Sequence, residues 1–337
     1  MLKYSKYIVL LLPLFFIQEI FSAEPNSIEQ STSSVLAVNS LLLQSDKHDS
    51  LHVVVGERGH ILYSNDSNDW QQADVQSKKT LTNVFMLDKN TGYAVGHDAI
   101  ILKTVDGAKS WKKMYSEINQ EAPLLDILFK DDSNGIAIGA YSLFYTTDDG
   151  GISWNKQTID ILDNNISNES SEGIMTDIID IHLNDIAYAG DKRFYIAAEA
   201  GHVLRTDDDG KTWLNLKLPY NGSFFGALPL SYDELIVYGL RGHLYHSSDA
   251  GKSWKKIETG STEMLTNAAL LSDGSVIVSG LAGTLLLSRD NGLSFSAIDM
   301  KHRHGLTSIL ETNKGNLLLT SDAGIESLSR NKVTSKK

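Results

Sequence analysis

The chain has 337 residues, no cysteine and a net charge of −12. A fold stapled by disulfides is excluded, and an acidic surface repels nucleic acid and anionic lipid, so a protein, a sugar or a cationic group is the partner class to expect. With 42% apolar residues, the chain can bury a sizeable core without staples.

Residues 1–23 read as a signal peptide. Lys3 and Lys6 precede an apolar run from Tyr7 to Ile17, and Phe21-Ser22-Ala23 ahead of Glu24-Pro25 ends on a small residue suited to cleavage. The run is short for a membrane span, and no later stretch reaches the roughly 20 apolar residues that a spanning helix needs. Export to a Gram-negative periplasm is expected, with no insertion into the membrane once the signal is cleaved. A single domain is expected over 24–330, and residues 331–337 form a basic tail.

A repeat dominates the mature chain. Trp70, Trp111, Trp154, Trp213, Trp254 and Phe295 are separated by 41, 43, 59, 41 and 41 residues, and each closes the same pattern: a β-rich run ending in Gly, a second β-run, then an Asp/Gly hairpin. Counting the apolar run that opens each unit gives four short strands per repeat. One such sheet cannot bury both faces alone, so the expectation is an all-β fold: a β-propeller of four-stranded blades, most simply seven, with neighbours sandwiching one another. The last unit (304–330) holds about three strands, and the segment before Val35 is expected to supply the fourth, closing the ring between the chain ends and leaving a monomer.

The hairpins supply their own turn chemistry. Asp106, Asp148, Asp208, Asp249 and Asp290 are read as carboxylates that accept backbone N–H groups of the turn, while Trp111, Trp154, Trp213 and Trp254 are read as rings buried between blades. Asp207-Asp208-Asp209-Gly210 has the look of a calcium loop but lacks a downstream bidentate Glu. No metal or cofactor is expected there, nor at His60, His202 and His243, which recur just after the turn glycine.

If the first strand of each blade is innermost, the strand-two-to-three turns lie on the face opposite these hairpins, beside the links between blades. Loops from several blades converge there, which makes it the expected binding face. Its turns would present Arg58, His97, Asp98, Tyr141, Glu199 and Arg241 as partner-binding candidates, with Arg58 and Arg241 recurring at one repeat position and suited to a partner's carboxylate. The long interval places an Asn/Ser/Glu-rich insertion (157–183) over the same face, as a lid or as a disordered loop.

Two motifs, S/T-x-D-x-G-x-S/T-W and V-G-x-x-G-x-h-x-x-T, here Val55-Gly56-Glu57-Arg58-Gly59-His60-Ile61 and Tyr238-Gly239-Leu240-Arg241-Gly242-His243-Leu244, resemble those of the BNR/Asp-box propellers. Within them, the chain is similar to the photosystem II stability and assembly factor family and its relatives in non-photosynthetic bacteria. The resemblance implies a non-catalytic scaffold that binds a protein and assists assembly of a membrane complex, an exporter being one possibility. The alternative is a sialidase-like glycoside hydrolase or a carbohydrate-binding propeller. A sialidase needs three converging arginines, a Tyr nucleophile and an acid/base Asp; Arg205, the third arginine available, falls in a third strand rather than a turn, and no catalytic residue is assigned.

Overall fold

In the computed structural model, which describes residues 29–159, 161–163 and 180–330, the chain closes into a ring of seven blades. Residues 1–23, expected as a signal peptide, the basic tail and the core of the 157–183 insertion lie outside the described residues. Each blade is an antiparallel meander. The inner strands are Leu42–His48, Leu81–Met86, Leu124–Phe129, Leu183–Gly190, Phe224–Pro229, Leu265–Leu270 and Leu306–Glu311, each touching the next, with the last touching the first. Second strands such as Leu51–Gly56 and Val276–Gly280 are buried along their whole length, because a neighbouring blade covers each face.

The hairpin aromatics fill the seams between blades. Trp111 packs with Val53 and Val55 of blade one, Trp154 with Tyr93 of blade two, and Trp213 with Phe144 of blade three. Each Asp-box ring is thus a wedge driven toward the preceding blade.

Polar side chains on the inner strands bolt each blade to the next. The second residue donates to the carbonyl that opens the following inner strand: Thr82 to Leu124 (2.6 Å), Asn184 to Phe224 (2.7 Å), Thr266 to Leu306 (2.8 Å) and Thr307 to Leu42 (2.6 Å). The third residue accepts an N–H from the following blade: Asp126 from Ile186 (2.7 Å), Asp185 from Ala227 (2.9 Å), Asn267 from Ile309 (3.1 Å) and Ser308 from Ser45 (3.2 Å). Asp46 serves the first joint, accepting from Met86 at 2.6 Å. In blade five the third residue is Gly226; a Cβ there would lie 2.1 Å from the Tyr238 hydroxyl, which takes over by bonding the Ala268 backbone in blade six. Every joint therefore carries at least one such bond.

The seventh blade has three strands, Leu306–Glu311, Leu317–Ser321 and Gly324–Leu328. The fourth strand expected from the segment before Val35 is not among the described residues. Ser31 instead bonds the Val75 carbonyl (2.9 Å) and Ser34 the Gln72 side chain (2.8 Å), drawing this segment toward blades one and two. Among the described residues, the ring closes through its inner strands, the last touching the first. Two blades gain a fifth, parallel edge strand, Asp74–Val75 on blade two and Ile161–Asp163 on blade four.

Candidate functional site

The Asp-box turns occupy one end of the blades. In the second, Thr104 Oγ1 donates to Asp106 (2.9 Å), the N–H groups of Lys109 and Ser110 donate to Asp106 Oδ1 (3.1 and 3.0 Å), and the Ser110 hydroxyl donates to Oδ2 (2.6 Å). Asp208, Asp249 and Asp290 accept the Thr212, Ser253 and Ser294 hydroxyls in the same way. In the third copy the acid is Asp149, which accepts Ser153 N–H (2.9 Å) and Oγ (2.6 Å); Asp148, the residue expected there, is exposed and serves no turn N–H. The physical reason is reach: the carboxylate must lie two residues beyond the Ser/Thr and five before the Trp, and in Thr147-Asp148-Asp149 only the second aspartate does. Asp149→Ala is expected to lower the melting temperature by several degrees and Asp148→Ala to leave it unchanged, read by circular dichroism.

The tempting metal and arginine clusters are already engaged. Asp207 pairs with Arg193 and Arg205, Asp208 holds its turn, and Asp209 pairs with Lys130. His60 meets Ser40 Oγ (3.3 Å), His202 meets Asn215 (3.2 Å), and the His243 ring lies 4.0 Å from that of Tyr220; they belong to blades one, four and five. Arg205 also donates to the Ala250 carbonyl (2.6 Å), so it does not join Arg58 and Arg241.

The strand-two-to-three turns lie at the opposite end, each with a middle residue in the left-handed region: Arg58 (57°), Asp98 (59°), Tyr141 (54°), Arg241 (57°) and Ala282 (54°). Because Ala282 shares this conformation, it is a property of the repeat and not a mark of function. The glycine after Arg58 and Arg241 is required by close approach: a Cβ on Gly59 would sit 2.2 Å from the Ser77 carbonyl, and one on Gly242 1.9 Å from that of Ser261.

These turns surround a cavity of about 400 Å³ at the ring's centre, open on this face and lined from all seven inner strands or the links into them. Leu43, Leu125, Phe225 and Met264 give it apolar walls, while Asn83, Asp185 and Asn267 supply polar groups and His182 stands at its rim. A second cleft, of about 450 Å³, opens between blades three and four on the Asp-box side; it belongs to one seam, whereas the central cavity is built by the whole ring.

The sequence-derived candidates divide into three groups on this face. Tyr141 and Glu199 come together on His182: the Tyr141 ring, 56% exposed, stands edge-on to the imidazole at 5.1 Å. Glu199 accepts the His182 backbone N–H (3.0 Å) and pairs with its Nδ1 (3.3 Å). The chain leaving the insertion is clamped here, since Ser142 N–H also donates to the Ile181 carbonyl (2.7 Å). Sequence reasoning misses His182; its one signal is its place two residues ahead of the inner strand's polar Asn184. His97 is exposed, and Asp98 is tied to Lys79 at 2.7 Å.

Arg58 and Arg241 stand apart. They belong to blades one and five, three blades apart in the ring, and do not form one clamp. Arg58 is exposed beside Glu57 (3.9 Å) and edges a separate pocket with His60, Lys78 and Thr32 to Ser34.

Buried carboxyls underlie the cavity. Burial pushes Asp185 up to about 6 and Asp126 well above the usual carboxylate range, the latter also because Asp185 adjoins it.

A seven-bladed ring whose hairpins carry this turn chemistry is an Asp-box β-propeller. A family model described as photosynthesis system II assembly factor YCF48 matches residues 62–122 and 167–264, so over those residues the chain is similar to propellers of this photosystem II assembly factor-like kind. YCF48 from Cyanidioschyzon merolae has the same fold, with a TM-score of 0.69 at 14% identity, covering 90% of this chain and 99% of that one. A structure of YCF48 bound to D1 peptide gives 0.65 at 18% identity over 90% and 99%. The WD40 propeller domain of Doa1 gives 0.67 at 13% identity over 91% and 97%. No curated protein matches the chain.

Proposed function

We propose that this chain is an exported, periplasmic and monomeric scaffold that binds an extended segment of a membrane-complex subunit, an exporter being one such complex, and assists its assembly without catalysing a reaction. The observation that carries this reading is the central cavity, which opens on the face where Tyr141, His182 and Glu199 meet. An amphipathic cavity rimmed by an exposed aromatic suits a peptide, whose side chains bring apolar and polar groups together. The YCF48 structure bound to D1 peptide supports a protein ligand for this kind of propeller. Likeness to an assembly factor favours a non-enzymatic role.

A photo-crosslinking residue placed at Tyr141 is expected to give one defined membrane-protein adduct in cells, while the same residue at Ile152, exposed on the Asp-box end, gives none. Equal labelling from both positions, or no adduct from Tyr141, would overturn the reading. Fractionation by osmotic shock checks the periplasmic location.

A further inference from the structure

We propose that the central cavity receives a basic side chain, lysine or arginine, from the bound protein segment. This rests on the scaffold function proposed for the chain and names the chemistry at its centre. The charge balance of the lining carries it first: no lysine or arginine lines the cavity, and its titratable groups are the Asp185 carboxyl and His182 at the rim. A carboxylate entering the cavity would meet no cation other than His182 when protonated. An ammonium or guanidinium would meet Asp185 below, with the apolar walls of Leu43, Leu125, Phe225 and Met264 available to its aliphatic stem. The chain's net charge of −12 draws a cationic segment toward it.

Asn83 is the second, independent observation. It is the third residue of its inner strand and would by analogy bolt blade two to blade three. Its counterpart there, the Ile127 N–H, is instead taken by Oδ1 of Asp126, within its own blade, at 2.7 Å. The Asn83 carboxamide is left 8% exposed, lining the cavity, with no hydrogen-bond partner in the described chain. The carboxamide therefore faces the cavity with its hydrogen-bonding groups unused, and its oxygen is an acceptor suited to a cation's N–H. Arg58 and Arg241, standing on separate blades, are available to the flanking parts of the same segment.

The test uses small probes on the purified chain, following the ε-methyl signal of Met264 by NMR. Nα-acetyl-lysine amide is expected to shift that signal saturably, and Nε-acetylation, which removes the charge, to weaken binding at least tenfold. Asp185→Asn and Asn83→Ala are expected to weaken it to a similar extent. Asp185→Asn should remain folded, because Asn267 already performs the bolting role at the equivalent position. Equal binding of the neutral analogue, tighter binding of Nα-acetyl-glutamate amide, or undiminished binding by both variants would overturn the proposal. If the Tyr141 adduct forms while the lysine probe fails, the basic side chain is wrong and the scaffold stands; if the adduct is absent, the scaffold reading itself has failed.

Discussion

Replacing Trp213 by alanine is expected to lower the unfolding free energy by about 3–5 kcal/mol, the range for removing a fully buried aromatic ring. Trp213 is fully buried, stands edge-on to Phe144 of the preceding blade at 6.1 Å, and its Nε1 donates to the Gly210 carbonyl at 3.1 Å. The blades on both sides are held in place by their own inner-strand bonds, so they cannot collapse into the gap. Trp70→Ala should cost less, since that ring is only half-buried and its hairpin has lost the glycine. Urea denaturation of both variants measures the difference, and equal losses would contradict the wedge role.

Stability is expected to peak near pH 4 and to fall as pH rises from there through about 6. Burial raises Asp46 and Asp185 to about 6 and Asp126 well above its ordinary value. A carboxyl whose folded pKa lies above its unfolded one contributes stability that is complete below about 4 and is lost as pH rises through the folded value. The Asp-box acids act the other way. Asp66, held mainly by the Asp69 N–H, and Asp149 and Asp290, held mainly by the Ser153 and Ser294 hydroxyls, sit at about 2, so their contribution is lost as pH falls toward that value. The depressed set is complete above about pH 4 and the raised set below it, so the optimum lies near pH 4. Asp126→Asn keeps an acceptor for Ile186 and removes the titration, so its melting temperature should decline less as pH rises above about 4. Asp126→Ala removes the acceptor itself and is expected to cost about 1–3 kcal/mol at any pH, the penalty of an unmet buried N–H. Melting curves from pH 3 to 8 separate the two variants, and parallel profiles would sink the account.

The repeat is legible because the determinants of a blade are local: an aromatic recurring at intervals of mostly 41 to 43 residues, a hairpin acid ahead of it, and a Gly-ended strand before that all lie on one unit. Where two acids adjoin, Asp148 passes for the turn carboxylate, although counting back five from Trp154 selects Asp149. What depends on a neighbouring blade is hidden. Asn83, Asp126, Asp185 and Asn267 look alike in the sequence, but the partners of the last three lie 42 to 60 residues away, and only the ring shows that these three are bolts and Asn83 is not. His182 escapes for the same cause, since its Tyr141 and Glu199 neighbours come from the blades on either side of the insertion. Arg58 and Arg241 mislead in the opposite sense, because equal repeat positions look equivalent in sequence and are three blades apart in space.

The joint between blades seven and one uses the same two bonds as that between six and seven, Thr307 to Leu42 and Ser308 to Ser45 matching Thr266 to Leu306 and Asn267 to Ile309. Which blade comes first along the chain is thus a detail of covalent connection and not of architecture. A circular permutant that opens at the link ahead of blade six, with the old ends spliced, keeps every one of these bolts, and the wheel it forms should turn the same face to its partner.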